Sequence, residues 1–313
     1  MSVAALLERR LVLVTGKGGV GKSTCALALA LVACRSGKRI LLVELSARPV
    51  SSDFLSAPVP GHLPSRPLAG RFPSLWTCHL DAQLSLQEYL VEHIRIPRLV
   101  KLATENRVLA RLWHVTPSVN ETALLNTIYQ LERAQLDDGR PRFDIIIVDM
   151  PATGHALTLL GVPRGMASMV RIGALAERAH AMDVLLHDRA KVALCIVTLP
   201  EELPVNESIE LAAKMHDKLD MDPSHVVING VLSDPLDVEE RELFDRISGA
   251  VESGPGRLLI DAATQNADRR RIQAQRIAEL KARIRAEFIE VALLARRGFG
   301  LVDAVADALL APA

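Results

Sequence analysis

The sequence is poor in aromatic residues and in cysteine. Phe, Trp and Tyr together make up 3% of the 313 residues, which disfavours nucleic-acid binding by base stacking on exposed rings. The four cysteines show no C-x-x-C spacing, so neither a zinc site nor a redox pair is supported, and a reducing, cytoplasmic location is expected. A core with few rings is built from Leu, Val, Ile and Ala, as is typical of parallel α/β sheets.

The sequence also lacks an excess of one charge and a long apolar run. Lys plus Arg and Asp plus Glu both number 37, so the net charge is zero and nothing favours nucleic acid or an anionic membrane overall. The longest apolar run, Cys25 to Cys34, is far shorter than the roughly 20 residues of a membrane-spanning helix. Residues 1–10 have charged side chains and only a short apolar stretch, so a signal peptide is not expected there. We therefore expect no nucleic-acid partner and no integral membrane protein.

Apolar periodicity predicts an α/β fold with a mainly parallel sheet flanked by helices. Short apolar runs predict buried strands at 11–15, 40–45, 143–149, 192–199 and 226–232, with a weaker one at 288–294. Helical patterns separate them, at 24–36, 205–219, 238–248 and 261–285. Strands that alternate with helices indicate βαβ crossovers, and we expect one domain over residues 1–313.

Two segments interrupt this alternation. Residues 50–75 are rich in Pro, Ser and Gly, which predicts a loop. Residues 83–136 show helical patterns only, and a further long helix is predicted over 163–188. These two helical segments, 83–136 and 163–188, are expected to form an insertion within the α/β domain.

A glycine-rich phosphate-binding motif follows the first predicted strand. Residues 16–24 read G-K-G-G-V-G-K-S-T and match the Walker A pattern G-x-x-x-x-G-K-[ST] of P-loop NTPases. Glycines let the backbone N–H groups surround a phosphate, and the start of the next helix adds partial positive charge. We expect Lys22 to reach the β- and γ-phosphates of ATP and Ser23 to ligate Mg²⁺. The predicted ATP-binding residues of the motif are Gly18, Gly19, Val20, Gly21, Lys22, Ser23 and Thr24.

Lys17 narrows the class of P-loop protein. A second lysine near the start of the loop resembles the deviant Walker A motif of the SIMIBI branch, which includes ArsA-type, MinD-type and ParA-type ATPases and the nitrogenase iron protein. That resemblance implies that Lys17 reaches across a face-to-face dimer to the partner's nucleotide, and hence that the dimer depends on ATP. A solvated loop cation is the alternative interpretation of Lys17.

Further segments resemble the ArsA-type ATPases. Asp149 ends an Ile-Ile-Ile-Val strand, where a Walker B carboxylate would hold Mg²⁺ together with Ser23. Residues 149–157, D-M-P-A-T-G-H-A-L, resemble the family's switch II, D-x-A-P-T-G-H-T, with Pro and Ala exchanged. Residues 197–208 resemble a strand-end segment of the family. Asn229 falls where the family has an asparagine on the adenine ring, and a turn before Gly230 is its alternative role.

The switch I region departs from the family pattern D-P-A-H. Ser46 occupies the position of the Asp that places the attacking water, and a serine cannot act as a carboxylate base. Glu44 lies two residues earlier on the same strand face, which makes it our candidate for positioning water or Mg²⁺, while Asp53 is a second option. The alternative is that Glu44 only hydrogen-bonds nearby backbone. Hydrolysis could then be slow although ATP still binds.

The sequence does not favour the other ligands and partners of related P-loop ATPases. Cys25, Cys34 and Cys195 are interpreted as structural and Cys78 has no second cysteine near it in the sequence, so arsenite, zinc and an iron–sulfur cluster are not expected. Met166, Met169 and Met182 form a stripe with leucines that is read as packed core, with a groove for an apolar protein client as the alternative. The basic residues within 95–111 and 269–285 are read as solvated helix faces.

Together these patterns predict a cytoplasmic, Mg²⁺-dependent ATPase of ArsA type that dimerises around ATP and couples its nucleotide state to an unidentified client. The dimer is formed with a second copy or with a homologous ATPase. Lys17, Lys22, Glu44 and Asp149 are the predicted catalytic residues. Two other functions stay open at this point: a regulatory ATP-binding subunit that hydrolyses weakly or not at all, and a ParA-like ATPase that positions DNA.

Overall fold

The fold is built around one parallel sheet. A computed structural model describes residues 3–45, 49–56, 59–64, 72–93, 119–169, 173–233, 238–248 and 253–310. Within these residues the sheet has seven strands in the order β3-β2-β4-β1-β5-β6-β7, and every neighbouring pair is parallel. The strands are β1 Leu11–Gly16, β2 Ile40–Glu44, β3 Leu75–His79, β4 Ile145–Asp149, β5 Val192–Thr198, β6 His225–Val231 and β7 Glu287–Ala292. The predicted α/β class is confirmed.

Helices cover both faces of the sheet. Leu11 and Leu13 of β1 face one core cluster and Val12 and Val14 face the other, as the two-residue repeat of a strand requires. Because both faces are buried, the central strands read as continuous apolar runs. The helices are α1 Val3–Leu6, α2 Lys22–Arg35, α3 Val50–Leu55, α4 Ala82–His93, α5 Val119–Arg133, α6 Thr153–Met169, α7 Ala174–His187, α8 Glu202–Leu219, α9 Val238–Ser248, α10 Pro255–Arg283 and α11 Phe299–Leu310.

Helix α2 is the most deeply buried of the helices that flank the sheet. Its small and aliphatic residues from Cys25 to Ala33 are all buried. Helix α11, which the sequence did not predict, packs against α2, and Arg35 at the end of α2 contacts Asp303 and Asp307 of α11 at 2.7 Å each. No described helix is both long and apolar enough to cross a membrane.

The described residues between β2 and α4 contain two regular elements, where the sequence predicted a loop over 50–75. Helix α3 occupies Val50–Leu55, and strand β3 begins at Leu75. Strand β3 pairs with β2 alone, so it lies at the edge of the sheet. Its residues Thr77 and His79 break the apolar run that marks the central strands, which explains why it was missed.

The helical segments agree with the prediction only in part. Helix α5 and all but the first residue of α4 lie within the predicted segment 83–136, and the two helices pack against each other, while residues 94–118 lie outside the described part. The single helix predicted over 163–188 is wrong. Helix α6 starts at Thr153, continues through Pro163 and ends at Met169, and α7 starts at Ala174 after Gly173, whose φ is 98°. A glycine with positive φ interrupts helical geometry, and the apolar periodicity of residues 163–188 does not reveal this break.

The methionine stripe is divided between α6 and α7. Met182 is buried in the core with Leu185 and Leu186, and Met166 packs against the edge of that cluster. The side chain of Met169 lies outside the described part. Core packing therefore accounts for Met182.

Candidate functional site

The glycine-rich loop lies at the carboxyl end of β1, between that strand and α2. Strand β1 is central, with β4 on one side and β5 on the other. Ligands of open α/β sheets bind at this edge, outside the carboxyl ends of the strands. Gly19 and Gly21 have φ values of 86° and 91°, and Gly21 is the N-cap of α2. The loop therefore has the left-handed turns and the free helix N-terminus that a phosphate cradle needs.

Only glycine fits at position 16, because the neighbouring strand β5 approaches its backbone closely. Its φ is 147°, and a Cβ atom there would lie 2.1 Å from the carbonyl oxygen of Val197. We expect Gly16→Ala to lower the free energy of unfolding by about 2–4 kcal/mol, because backbone must move to relieve the clash. Gly18→Ala is the matched control, since no atom lies within 4 Å of its Cβ position. Urea denaturation measures both, and equal losses would contradict this interpretation.

The two lysines of the motif have different partners. The Lys22 ammonium donates a hydrogen bond to the carbonyl oxygen of Lys17 at 2.9 Å, which folds its side chain over the loop. Burial lowers the pKa of Lys22, and the negative charge of Asp149 opposes that shift. The Lys17 ammonium instead pairs with Glu207 on α8, at 2.9 Å. Lys17 is thus held by an ion pair within its own chain, and its action across a dimer stays a prediction.

Asp149 is a buried carboxylate at the end of β4, beside the loop. Its exposed fraction is 1%, and within the described chain neither of its oxygens has a hydrogen-bond partner at standard geometry, although the Ser23 hydroxyl is close enough to act on it. Burial raises the pKa of Asp149 to about 6, the Ser23 hydroxyl and Lys22 oppose this rise, and Glu44 adds to it. A buried carboxylate of this kind requires a cation or a proton.

Asp149 and Ser23 suit Mg²⁺ as ligands. Both offer hard oxygen atoms, and Mg²⁺ in nucleotide sites takes one or two protein ligands and completes its shell with water and phosphate oxygens. Among the described residues, no group of three or more His, Cys, Asp or Glu side chains could hold a metal by itself. Phosphate oxygens and water would therefore supply most of the Mg²⁺ ligands.

Glu44 lies beside Asp149, but both of its carboxylate oxygens accept hydrogen bonds from the start of α3. The two residues are paired in register across β2 and β4. One Glu44 oxygen accepts hydrogen bonds from the backbone N–H groups of Val50 and Ser51, at 2.5 and 3.0 Å, and the other accepts one from the Ser51 hydroxyl at 2.5 Å. A carboxylate in this place satisfies the free N–H groups at the start of a helix. Its proposed part in positioning water stays a prediction, and Ser46 lies outside the described residues.

Glu44→Ala is expected to lower the free energy of unfolding by about 2 kcal/mol, because three donors at the start of α3 lose their acceptor. Ser51→Ala removes only the hydroxyl donor and should cost about 1 kcal/mol. Thermal denaturation tests both, and a Glu44→Ala protein as stable as wild type would rule out the capping role. Single-turnover ATP hydrolysis by both variants separates the two roles, since loss of turnover in Glu44→Ala alone would indicate water positioning.

The side chain of Asn229, on β6, contacts the phosphate loop. Its side-chain amide donates a hydrogen bond to the carbonyl oxygen of Val20 at 3.0 Å. The same nitrogen lies 2.4 Å from the Cβ position of Gly21, so a larger residue at 21 would collide with it. Gly230 follows with a φ of 73°, which also fits the alternative role in a turn. The contact of Asn229 with adenine stays a prediction.

Two polar residues of the site were missed by sequence reasoning. Glu207, which pairs with Lys17, lies within the segment 197–208 that resembles the family, but nothing there indicates its partner. Gln273 of α10 contacts the backbone on both sides of Val231, more than 40 residues away in sequence. Contacts over such distances leave no periodic signal in one sequence.

Switch II leads directly into α6. Thr153 begins the helix, and the His155 backbone N–H donates to the carbonyl oxygen of Ala152 at 3.0 Å. His155 itself is exposed. This geometry agrees with a structural position at a helix start.

Three of the cysteines are poor candidates for thiolate chemistry. Cys25, Cys78 and Cys195 are buried. Burial raises the pKa of Cys25 to about 12 and raises the pKa values of Cys78 and Cys195 as well. Thiols of this kind remain protonated at neutral pH and are weak metal ligands.

Comparisons with known proteins agree with the geometry of the loop. The family model of the anion-transporting ATPases (ArsA_ATPase) matches residues 9–178, which is more than half of the chain. ATPase BagA of Mycobacterium tuberculosis (strain ATCC 25618 / H37Rv) is 29% identical over 255 residues, which cover 78% of this chain and 71% of that protein.

More distant relatives are longer than this chain. The arsenical pump-driving ATPase of Escherichia coli is 27% identical over 228 residues, covering 72% of this chain and 35% of the relative. ATPase ARSA1 of Chlamydomonas reinhardtii is 24% identical over 264 residues, which cover 67% of this chain and 34% of that relative. The family model and the phosphate loop between β1 and α2 lead to one conclusion: the chain belongs to the ArsA-type family of anion-transporting ATPases, a family of enzymes that act on ATP.

Proposed function

We propose that this chain is a cytoplasmic, Mg²⁺-dependent ATPase whose nucleotide state controls a dimer and, through it, a client. The buried Asp149 carboxylate is the observation that carries this proposal. Neither of its oxygens has a hydrogen-bond partner at standard geometry within the described chain, and it lies near Ser23 and Lys22. A protein keeps such a group at a cost in stability, and a bound cation would remove that cost. The family assignment supports ATP as the ligand.

The residues of the loop would act by positioning and by charge. Lys22 already points over the loop to the carbonyl oxygen of Lys17, so a phosphate oxygen can replace that acceptor with little movement. The backbone N–H groups of residues 18–24 would surround the β-phosphate. Ser23 and Asp149 would hold Mg²⁺, which would neutralise negative charge on the transferred γ-phosphoryl group and on the ADP that leaves. In a partly desolvated site these charges act more strongly than in water.

Lys17 would exchange partners when the dimer forms. Its ion pair with Glu207 is partly exposed, with side chains about a quarter and a third accessible, and such pairs contribute little stability. A phosphate of a partner's nucleotide, with its greater charge, could therefore displace Glu207. Switch II, which continues into α6, would carry the change towards the helices of the insertion.

Phosphate release and dimer mass test the proposal together. We expect wild-type protein to release labelled γ-phosphate in a single turnover with Mg²⁺ and to double its mass with ATP. Lys17→Ala should bind ATP but stay monomeric, because it lacks the cation that bridges the two chains. Lys214→Ala is the matched control, since Lys214 pairs with Glu210 on the exposed surface of α8. A Lys17→Ala protein that dimerises like wild type would remove Lys17 from the interface.

A regulatory subunit is the second candidate function. Ser46 stands where the family has its water-positioning Asp, and both oxygens of Glu44 are occupied by the start of α3. A chain of this kind could bind ATP, pair with a homologous ATPase and hydrolyse ATP slowly. Wild-type protein that binds ATP and dimerises without releasing phosphate would favour this function over the first.

A further inference from the structure

A side chain from a distant helix holds the turn that follows Asn229. The carbonyl oxygen of the Gln273 side chain accepts a hydrogen bond from the backbone N–H of Leu232 at 2.8 Å. The amide nitrogen of the same side chain donates to the backbone carbonyl of Gly230 at 3.2 Å. Both polar atoms of Gln273 are therefore used on the backbone of one turn.

The pairing of β6 with β7 does not fix this turn completely. The register between the two strands shifts between Asn229 and Val231, so Gly230 lies in a bulge. The next ladder contact is the hydrogen bond from the Leu293 N–H to the Val231 carbonyl, at 2.8 Å. Gln273 supplies partners to the backbone groups on either side of that contact. Gly230 and Leu232 are half-buried, and backbone groups that lose a hydrogen-bond partner in such a place cost free energy, so Gln273 stabilises the turn.

This turn, at residues 230–232, also supports the phosphate loop. Asn229 directly precedes the bulge, and its amide donates to the Val20 carbonyl within the Walker A segment. Its nitrogen also fills the space beside Gly21, the N-cap of α2. A shift of the bulge would move Asn229 away from Val20, and the loop would lose its contact with β6.

We propose that Gln273 is a positioning residue of the nucleotide site. It fixes residues 230–232, which keeps the Asn229 amide on Val20 and the N–H groups of the loop directed at phosphate. This inference rests on the proposed function, because it assigns to α10 a part in binding the same nucleotide. Gln273 would act through Asn229 and would not touch the phosphates.

A double-mutant cycle on ATP affinity tests this chain of contacts. We expect Gln273→Ala to raise the Kd for ATP about tenfold, which corresponds to the loss of a pair of modest hydrogen bonds. Gln275→Ala is the matched control, because Gln275 is the same residue type on the same helix and is exposed. In an Asn229→Ala background, Gln273→Ala should change the Kd less than about twofold, since its route to the loop is already cut.

The outcomes separate the two proposals. Wild-type protein that does not bind ATP would overturn the proposed function. Wild-type binding with equal Kd values for Gln273→Ala and Gln275→Ala would overturn the inference alone, as would additive effects of the substitutions at 273 and 229. Gln273→Glu keeps the acceptor for Leu232 but places a carboxylate oxygen against the Gly230 carbonyl, and because two acceptors repel each other we expect a Kd at least as high as that of Gln273→Ala. If Gln273→Ala does not fold, this second variant decides the test in the same way, with Gln275→Glu as its control.

Discussion

Replacing Lys22 with alanine is expected to reduce single-turnover phosphate release from ATP by about 100-fold or more. Its ammonium lies over the loop, bonded only to the Lys17 carbonyl among the described residues, and faces the buried Asp149 charge. Removing a preorganised donor from a site that stabilises developing phosphate charge has effects of about 100- to 1,000-fold in enzymes. Phosphoryl transfer depends on positioning and electrostatics. Lys17, the other cation of the loop, is paired with Glu207 at 2.9 Å, so we do not expect it to replace the Lys22 charge.

The Lys22→Ala protein is expected to fold normally. Burial lowers the pKa of Lys22, which means that the folded chain disfavours its charged form, so alanine removes a group that does not stabilise the free protein. Lys214→Ala again serves as the surface control. Rapid-quench measurement of phosphate release, together with a thermal melt, separates loss of function from loss of structure. A Lys22→Ala protein that hydrolyses ATP at the wild-type rate would exclude this loop as the active site.

The residues of this site differ in how readily the sequence alone predicts them. Lys22 and Ser23 are predictable because one local motif fixes them between a strand and a helix. Asp149 is predictable because it ends a buried strand next to β1. Glu207 and Gln273 are not predictable. Glu207 reaches Lys17 of the loop from α8, Gln273 reaches the turn after Asn229 from α10, and no local pattern encodes either contact.

The fold shows the same division between local and distant information. The central strands are identified by their apolar runs, since both of their faces are buried. Strand β3 and helix α3 were not found, because β3 is an edge strand with polar residues and α3 is one short helix in a segment rich in Pro and Ser. The start of α3 is held by the Glu44 carboxylate six residues earlier, a specific side-chain contact that helix propensity does not describe.

Asp149→Asn is expected to abolish Mg²⁺-dependent hydrolysis and, at the same time, to stabilise the nucleotide-free protein at neutral pH. Burial raises the pKa of this carboxyl from 3.8 to about 6. The folded chain therefore holds the proton more tightly than the unfolded chain, and between pH 4 and 6 stability falls as the pH rises. Above pH 6 the charged carboxylate costs about 3 kcal/mol at most, from a shift of roughly two pKa units. Asparagine removes this cost at pH 7.5 and changes little at pH 4.

Asp144→Asn is the matched control, because Asp144 directly precedes the same strand and its environment is the opposite. Hydrogen bonds from Arg39 hold the pKa of Asp144 below its usual value, so its charge stabilises the fold at neutral pH and asparagine should lower stability there. Denaturation at pH 4 and pH 7.5 tests the opposite signs. An Asp149→Asn protein less stable than wild type at pH 7.5 would mean that the carboxylate is satisfied without a ligand. If the opposite signs are found, they identify Asp149 as a charge that the fold tolerates only for a cation, since the same substitution that stabilises the free protein removes its Mg²⁺-dependent turnover.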